Sequence, residues 1–169
     1  MSAGRLPTIA VALATAIALT AAGPADAARP RVAVEFVRPE KFADVKASAR
    51  SSEAAGLRGE VERVVVETGE RLLPPGRSVA IPVTDVELAG EFEPRRGPQF
   101  AHTRFMREVF PPRIELEFRV QDALGRVLAE GRRTLRAPLY LTRSVRAADD
   151  RLRYEKSLLA DWLRAELAR

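Results

Sequence analysis

Between residues 114 and 121 the chain alternates without a break: Ile114, Leu116, Phe118 and Val120 are apolar, and Glu115, Glu117, Arg119 and Gln121 are polar. Successive side chains of a strand point to opposite faces, so this segment demands a sheet with one face buried and the other in water. Asp122-Ala-Leu-Gly125 follows, with aspartate at its start and glycine at its end, a turn after which Val127 to Leu135 returns as the second arm of a β-hairpin. A lone hairpin is marginal in water. The rest of the chain must therefore supply further strands and a layer that covers the apolar face.

Upstream, Val32, Val34 and Phe36 alternate with Ala33 and Glu35 within a strand over Arg31 to Val37, which Pro39 ends. Residues 40–52 are polar and irregular. Ser51 or Ser52 is placed to cap a helix in which Leu57, Val61, Val64, Val65, Thr68 and Leu72 recur at helical spacing. Gly56, Gly59, Gly69 and the run Val64-Val65-Val66 weaken that helix, and Leu73-Pro-Pro-Gly76 stops it. Ser78 to Leu88 reads as a strand that changes phase, since Val79, Ile81 and Val83 share one parity while Val86 and Leu88 take the other; a bulge near Thr84-Asp85 restores the register. Pro82, which has no N–H to donate, points to a sheet edge or to that bulge.

Residues 89–112 form a long loop punctuated by Gly90, Pro94, Gly97, Pro98, Pro111 and Pro112, and 95–110 within it have no assignable type. At the C-terminus, Asp149 or Asp150 caps a helix from Arg151 to about Ala168 whose stripe is Leu152, Leu158, Leu159, Trp162 and Leu163. The order strand, helix, strand, long loop, hairpin, helix predicts an α+β two-layer sandwich: a mainly antiparallel sheet of about four to five strands with two helices on one face. Residues 28–169 are the size of one domain.

Residues 1–27 carry a different signal. Arg5 is the only early charge, the run from Ile9 to Ala22 is apolar, and Ala25-Asp26-Ala27 supplies the small residues of a cleavage site. The run is too short for a membrane-crossing helix, which needs ~20 residues, so the expectation is a cleaved Sec-type signal peptide and a periplasmic product with no transmembrane segment. Export changes the meaning of the charge. The chain is +5, with 28 basic and 23 acidic residues, but outside the cytoplasm nucleic acid is not the expected partner; an anionic envelope component or another envelope protein is. The absence of cysteine excludes disulfide frameworks, thiolate metal sites and cysteine nucleophiles.

Catalytic constellations are sparse. His102 is the only histidine, and Gly-x-Ser-x-Gly, Walker and Gly-x-Gly-x-x-Gly patterns are all missing. No catalytic residue, no resident metal and no cofactor is assigned. The one acidic constellation is Asp85, Glu87, Glu91 and Glu93, with His102 beyond it. Gathered by a turn, these oxygens would suit calcium, or with His102 zinc, in a metal-dependent hydrolase or metal-binding protein. The competing reading is a solvated strand end whose carboxylates meet Arg95, Arg96 or Arg113. On the last helix Tyr154 and Asp161 lie two turns apart on one side, either as core anchors and ion pairs or, with Trp162, as an exposed docking patch. In the long loop, Phe92, Phe100, Phe105 and Phe110 stand among arginines, the composition of binding hot spots, or else close one end of the core. The candidate binding residues are Glu91, Phe92, Glu93, Arg95, Arg96, Phe100, Tyr154 and Asp161.

Four blocks carry a resemblance: Val34-Glu-Phe-Val-Arg-Pro-Glu-Lys-Phe42, Leu88-Ala-Gly-Glu-Phe-Glu-Pro94, Pro111-Pro-Arg-Ile114 and Leu152-Arg-Tyr-Glu-Lys-Ser-Leu-Leu-Ala-Asp-Trp162. Together they resemble the bacterial domain of unknown function 3016 family over essentially the whole chain after residue 27. Two positions depart from it, with Arg38 where an acidic residue is expected and Arg95 near where an aromatic one is. The resemblance implies export to the periplasm of a Gram-negative cell and no established activity, and it draws attention to Leu88 to Pro94 and Tyr154 to Trp162. The resulting expectation is a small, non-enzymatic envelope binding module acting through Leu88 to Phe110 and a neighbouring sheet edge. N-terminal sequencing of the exported protein should begin at Ala28; an intact Met1 recovered with membranes would refute the signal-peptide reading.

Overall fold

A computed structural model describes residues 30–44, 51–100, 103–143 and 149–167. The export signal, the foreseen Ser51 or Ser52 cap side chains and His102 lie outside the described residues or side chains. The elements are β1 (Val32–Phe36), α1 (Ser51–Leu72), β2 (Arg77–Glu87), β3 (Glu91–Phe92), β4 (Arg104–Phe105), β5 (Arg113–Asp122), β6 (Val127–Arg136) and α2 (Arg153–Leu167). Four strands form one mixed sheet in the order β1-β2-β5-β6, and β3 and β4 pair separately. The α+β class thus follows the alternation patterns. β1 lies parallel to β2, with α1 as the crossover between them, while β2–β5 and β5–β6 are antiparallel.

The expected hairpin forms as its turn chemistry dictates. Asp122 Oδ1 accepts the N–H groups of Leu124 and Arg126, both at 2.9 Å, and Gly125 adopts φ +78°, which a side chain would strain. Its alternation places Ile114, Leu116, Phe118 and Val120 in the core. The opposite face is polar and crossed by ion pairs, Arg119–Glu130 at 3.0 Å and Arg132–Glu117 at 2.5 Å.

β2 shows the foreseen change of phase, with its register to β5 shifting between Val83 and Asp85, so that Val79, Ile81, Val83 and Val86 are all buried. The edge reading of Pro82 is overturned. β2 is an interior strand, paired on both sides. Val79 donates to Arg31 and Val83 accepts from Val37, so the odd residues of β2 serve β1, and the Pro82 nitrogen faces β5 just before that ladder breaks at the bulge. Proline is tolerated there because little donor capacity is lost.

Both helices cover the same sheet face. Leu57, Val61, Val65 and Thr68 of α1 are buried. Gly69 is a packing residue: a Cβ there would lie 3.0 Å from a Val32 methyl, so the glycine that weakens the helix lets it approach β1. At the end of α1, Arg31 donates to the carbonyls of Leu73 at 2.6 Å and Pro74 at 3.0 Å and pairs with Glu70 at 3.1 Å, satisfying groups the helix leaves open. For α2, Asp150 Oδ1 receives the Leu152 N–H at 2.9 Å, as a cap should. Leu152, Leu158, Leu159, Trp162 and Leu163 are buried, and the Trp162 ring, 7% exposed, meets Phe118 edge-on at 5.9 Å. Lys156 joins the helices by pairing with Glu60 at 3.0 Å and Asp150 at 2.6 Å.

Trp162→Ala should therefore cost about 3–5 kcal/mol, and truncation after Asp150 should unfold the domain, because it strips the sheet of half its cover. Thermal denaturation checks both; an unchanged melting temperature in the truncated form would make α2 an appendage.

Candidate functional site

The chain between β2 and β5 leaves the sandwich and builds a lobe of its own. Gly90, at φ +74°, starts it: an added Cβ would stand 2.5 Å from the Phe105 carbonyl oxygen, so only glycine allows the β3–β4 pairing to begin there. Phe92 pairs with Arg104 and Glu91 with Phe105. Two short 3₁₀ turns, Pro94–Arg96 and Pro98–Phe100, fill the stretch that the sequence left untyped.

Within the lobe the aromatics and arginines pair with one another. The Arg104 guanidinium lies 4.6 Å from the Phe92 ring centre and that of Arg96 lies 4.4 Å from the Phe105 ring centre, and Phe100 meets Phe105 edge-on at 5.8 Å. Glu93 receives Arg96 at 2.5 Å and Arg107 at 2.9 Å. Phe92 and Glu93 are half-buried by these contacts, while Glu91, Arg95, Arg96 and Phe100 are exposed, Phe100 at 37%. Arg95 makes no ion pair among the described residues. Five of the sequence candidates, Phe92, Glu93, Arg95, Arg96 and Phe100, thus share one lobe, with Glu91 on its first strand.

The other candidates are placed apart. Tyr154 is buried against Tyr140, with ring centres 4.7 Å apart, and Asp161 is an outer ion-pair residue held by Arg143 and by Arg164 at 2.8 Å. They form no joint patch. The four carboxylates of the acidic constellation also separate. Asp85 and Glu87 converge on Arg113 at 2.8 and 2.9 Å, where Glu115 joins them, whereas Glu93 turns to Arg96 and Arg107. Among the described residues no group of three or more histidine, cysteine or acidic side chains is arranged to hold a metal ion.

What anchors the lobe lies beneath it, and the sequence reading missed it. Asp44 accepts the Leu88 N–H and pairs with Arg104, whose other nitrogen donates to the Gly90 carbonyl at 2.7 Å. Glu155, on α2, accepts the Ala89 N–H through Oε1 at 2.6 Å. Its residue is 0% exposed, and Oε2 has no hydrogen-bond partner among the described residues. Two consecutive backbone donors at the root of the lobe are thereby held by two carboxylates. A signal was present: in the stripe Leu152, Glu155, Leu159, Trp162 the glutamate occupies a core position, where an acid persists only with a hydrogen-bond partner. Burial pushes the Glu155 carboxyl above its ordinary range, and nearby Asp44 adds to this; the Ala89 N–H and Arg104 oppose it. Tyr140, which donates to the Arg107 carbonyl at 2.8 Å, is also raised by burial.

The sign of the resulting pH dependence is definite. With its native pKa above the unfolded value, Glu155 binds more protons folded than unfolded, so its contribution to stability is present at acid pH and is lost as pH rises through the raised native value. Each unit of elevation is worth about 1.4 kcal/mol. Glu60, lowered chiefly by its bond from Lys156, has the opposite sign, as does Asp150, where Lys156 and the Leu152 N–H outweigh burial; their contribution is lost as pH falls. Glu155→Gln keeps an acceptor for Ala89 and removes the charge. Melting temperatures measured from mildly acidic to mildly alkaline pH should show the variant gaining on the wild type as pH rises; parallel profiles would refute the assignment.

A family model described as Protein of unknown function (DUF3016) matches residues 30–165, which include the sheet, α1, the lobe and all but the C-terminal end of α2. No curated protein and no solved structure matches the chain. The match spans most of the sequence, and the chain belongs to the DUF3016 family.

Proposed function

We propose that the protein is a small, non-enzymatic binding module of the cell envelope that recognises an acidic partner through the lobe between Leu88 and Phe110. The observation that carries this reading is the arrangement of that lobe. It is anchored at its root, where Asp44, Glu155 and Arg104 bond the Leu88 to Gly90 backbone, and it presents Arg95 and Phe100 outward beside Arg96. An aromatic ring held edge-on by Phe105, next to a guanidinium with no ion pair among the described residues, is the pairing that interface hot spots favour. Arg96, already engaged with Phe105 and Glu93, is a support of this surface more than a contact.

The expected export signal is in keeping with an envelope partner. Cleavage after Ala27 would deliver the domain to the periplasm, where acidic protein surfaces and anionic envelope components meet a protein of net charge +5. No helix among the described residues is long and apolar enough to cross a membrane. Addition of a partner strand beside Pro82 is not part of the proposal, since β2 is interior.

Crosslinking of the tagged full chain in living cells, followed by mass spectrometry, tests the reading. Arg95→Ala combined with Phe100→Ala, which leaves the bonds at the lobe's root intact, should abolish capture of at least one envelope component while the melting temperature stays within a few degrees of wild type. An empty capture set, or one unaltered by the double substitution, would overturn it.

A further inference from the structure

The four-stranded sheet has two open edges among the described residues, β1 and β6. β1 is 5 residues long, whereas β6 has 10, with Val127 and Leu128 about half exposed and no proline. Its backbone groups on the side away from β5 are a template for another strand. Edge strands are usually defended by charge, and β6 does carry Glu130, Arg132, Arg133 and Arg136. The order of those charges, however, is self-complementary.

We propose that the protein pairs with a second copy of itself through β6, antiparallel, about a two-fold axis passing through Gly131. A two-fold axis perpendicular to the sheet keeps the helices of both copies on one side and requires that facing residues share parity, so that a continuous eight-stranded sheet results. Centred on Gly131, this pairing sets Glu130 opposite the partner's Arg132, and Arg132 opposite the partner's Glu130. The same-face alternatives centred on Glu130 or Arg132 would each set a like charge against itself.

The neighbouring strand extends the match. Within one copy Glu117 faces Arg132 and Arg119 faces Glu130 across the β5–β6 ladder. In the paired sheet the polar face therefore carries rows that read Glu117, Arg132, the partner's Glu130, the partner's Arg119, with alternating sign across four strands. The β5–β6 register is unbroken from Arg136 to Ala129, so the central rungs of β6 are regular, and the shift next to Val127 confines the pairing to them. Gly131, placed at the axis, brings no side chain of its own to the crossing; the space a Cβ would take there is filled by the Arg133 guanidinium, whose Nη1 lies 2.8 Å from that position. On the helix side Arg133 lies 4.8 Å from the Phe118 ring centre and pairs with Glu166 at 3.2 Å, while its Nη1 donates to the Arg132 carbonyl at 3.0 Å, a bond that this acceptor shares with or yields to the partner's Glu130 N–H on pairing.

The chain's lack of cysteine makes a register test clean. Glu130→Cys and Arg132→Cys proteins are prepared separately, then mixed under mild oxidation. The mixture should form a disulfide-linked dimer, since facing positions have the Cα spacing a disulfide needs and the second rung keeps its ion pair. Each protein alone should not, its cysteines being offset by two rungs. In parallel, sedimentation of the wild-type protein from micromolar to sub-millimolar concentration should show a salt-sensitive dimer, with Arg132→Glu raising the dissociation constant about tenfold or more. A wild-type monomer throughout, or crosslinking as ready in the single proteins as in the mixture, would overturn the proposal.

Discussion

The one-sided burial of β5 is the constraint on which the rest of the molecule depends. Ile114, Leu116, Phe118 and Val120 project to a single face, and every other large element is placed by the need to cover them. β2 flanks β5 with its own buried row, α1 closes down on β1 through the Gly69–Val32 approach, and α2 lays Trp162 against Phe118. Leu88 to Phe110 joins this arrangement only through Ala89, which is buried in the core, and through Leu88 and Met106, which pack against it. Beyond these contacts the segment turns Phe92 and Phe105 onto its own arginines.

Beside the packing of Leu88, Ala89 and Met106 on the core, polar bonds at its root set the position of the lobe relative to the sandwich. Asp44 and Glu155 each take one backbone donor from consecutive residues, and Arg104 ties Asp44 to the Gly90 carbonyl. Such bonds are costly to leave unmade once buried, which is what makes them effective anchors. Glu155 bears that cost most directly, since one oxygen is used and the other is enclosed with no partner among the described residues. Neutralisation by a proton is the inexpensive way to keep an acid there, so the geometry of the lobe's root and the proton occupancy of one helix side chain are linked.

How legible all this was depends on the range of each interaction. The β5–β6 hairpin, its Asp122 turn, the phase change in β2 and the stripe of α2 are encoded by neighbours a few residues apart, and they are where they were expected. Pro82 carried an ambiguous signal, because a missing donor is tolerated at an edge and at a bulge alike; only the strand on the other side of β2 decides between them. For the proposed site, the sequence singled out Arg95, Arg96 and Phe100 but not the residues that hold the lobe. Asp44 meets Leu88 across 44 residues and Arg104 across 60, and Glu155 meets Ala89 across 66. Phe42, buried in the core next to Phe36, was missed likewise inside a stretch read as polar and irregular.

The sequence by itself determined which faces are buried and where the elements turn, because hydrophobic period, caps and turn residues act through local backbone geometry. Only the tertiary structure decided which carboxylates meet which arginines. Asp85 and Glu87 share Arg113, and Glu93 takes Arg96 and Arg107, so residues that read as one acidic cluster serve separate pairs. Coulomb and hydrogen-bond partners are chosen by proximity in space, and that proximity is created only after the apolar faces have closed.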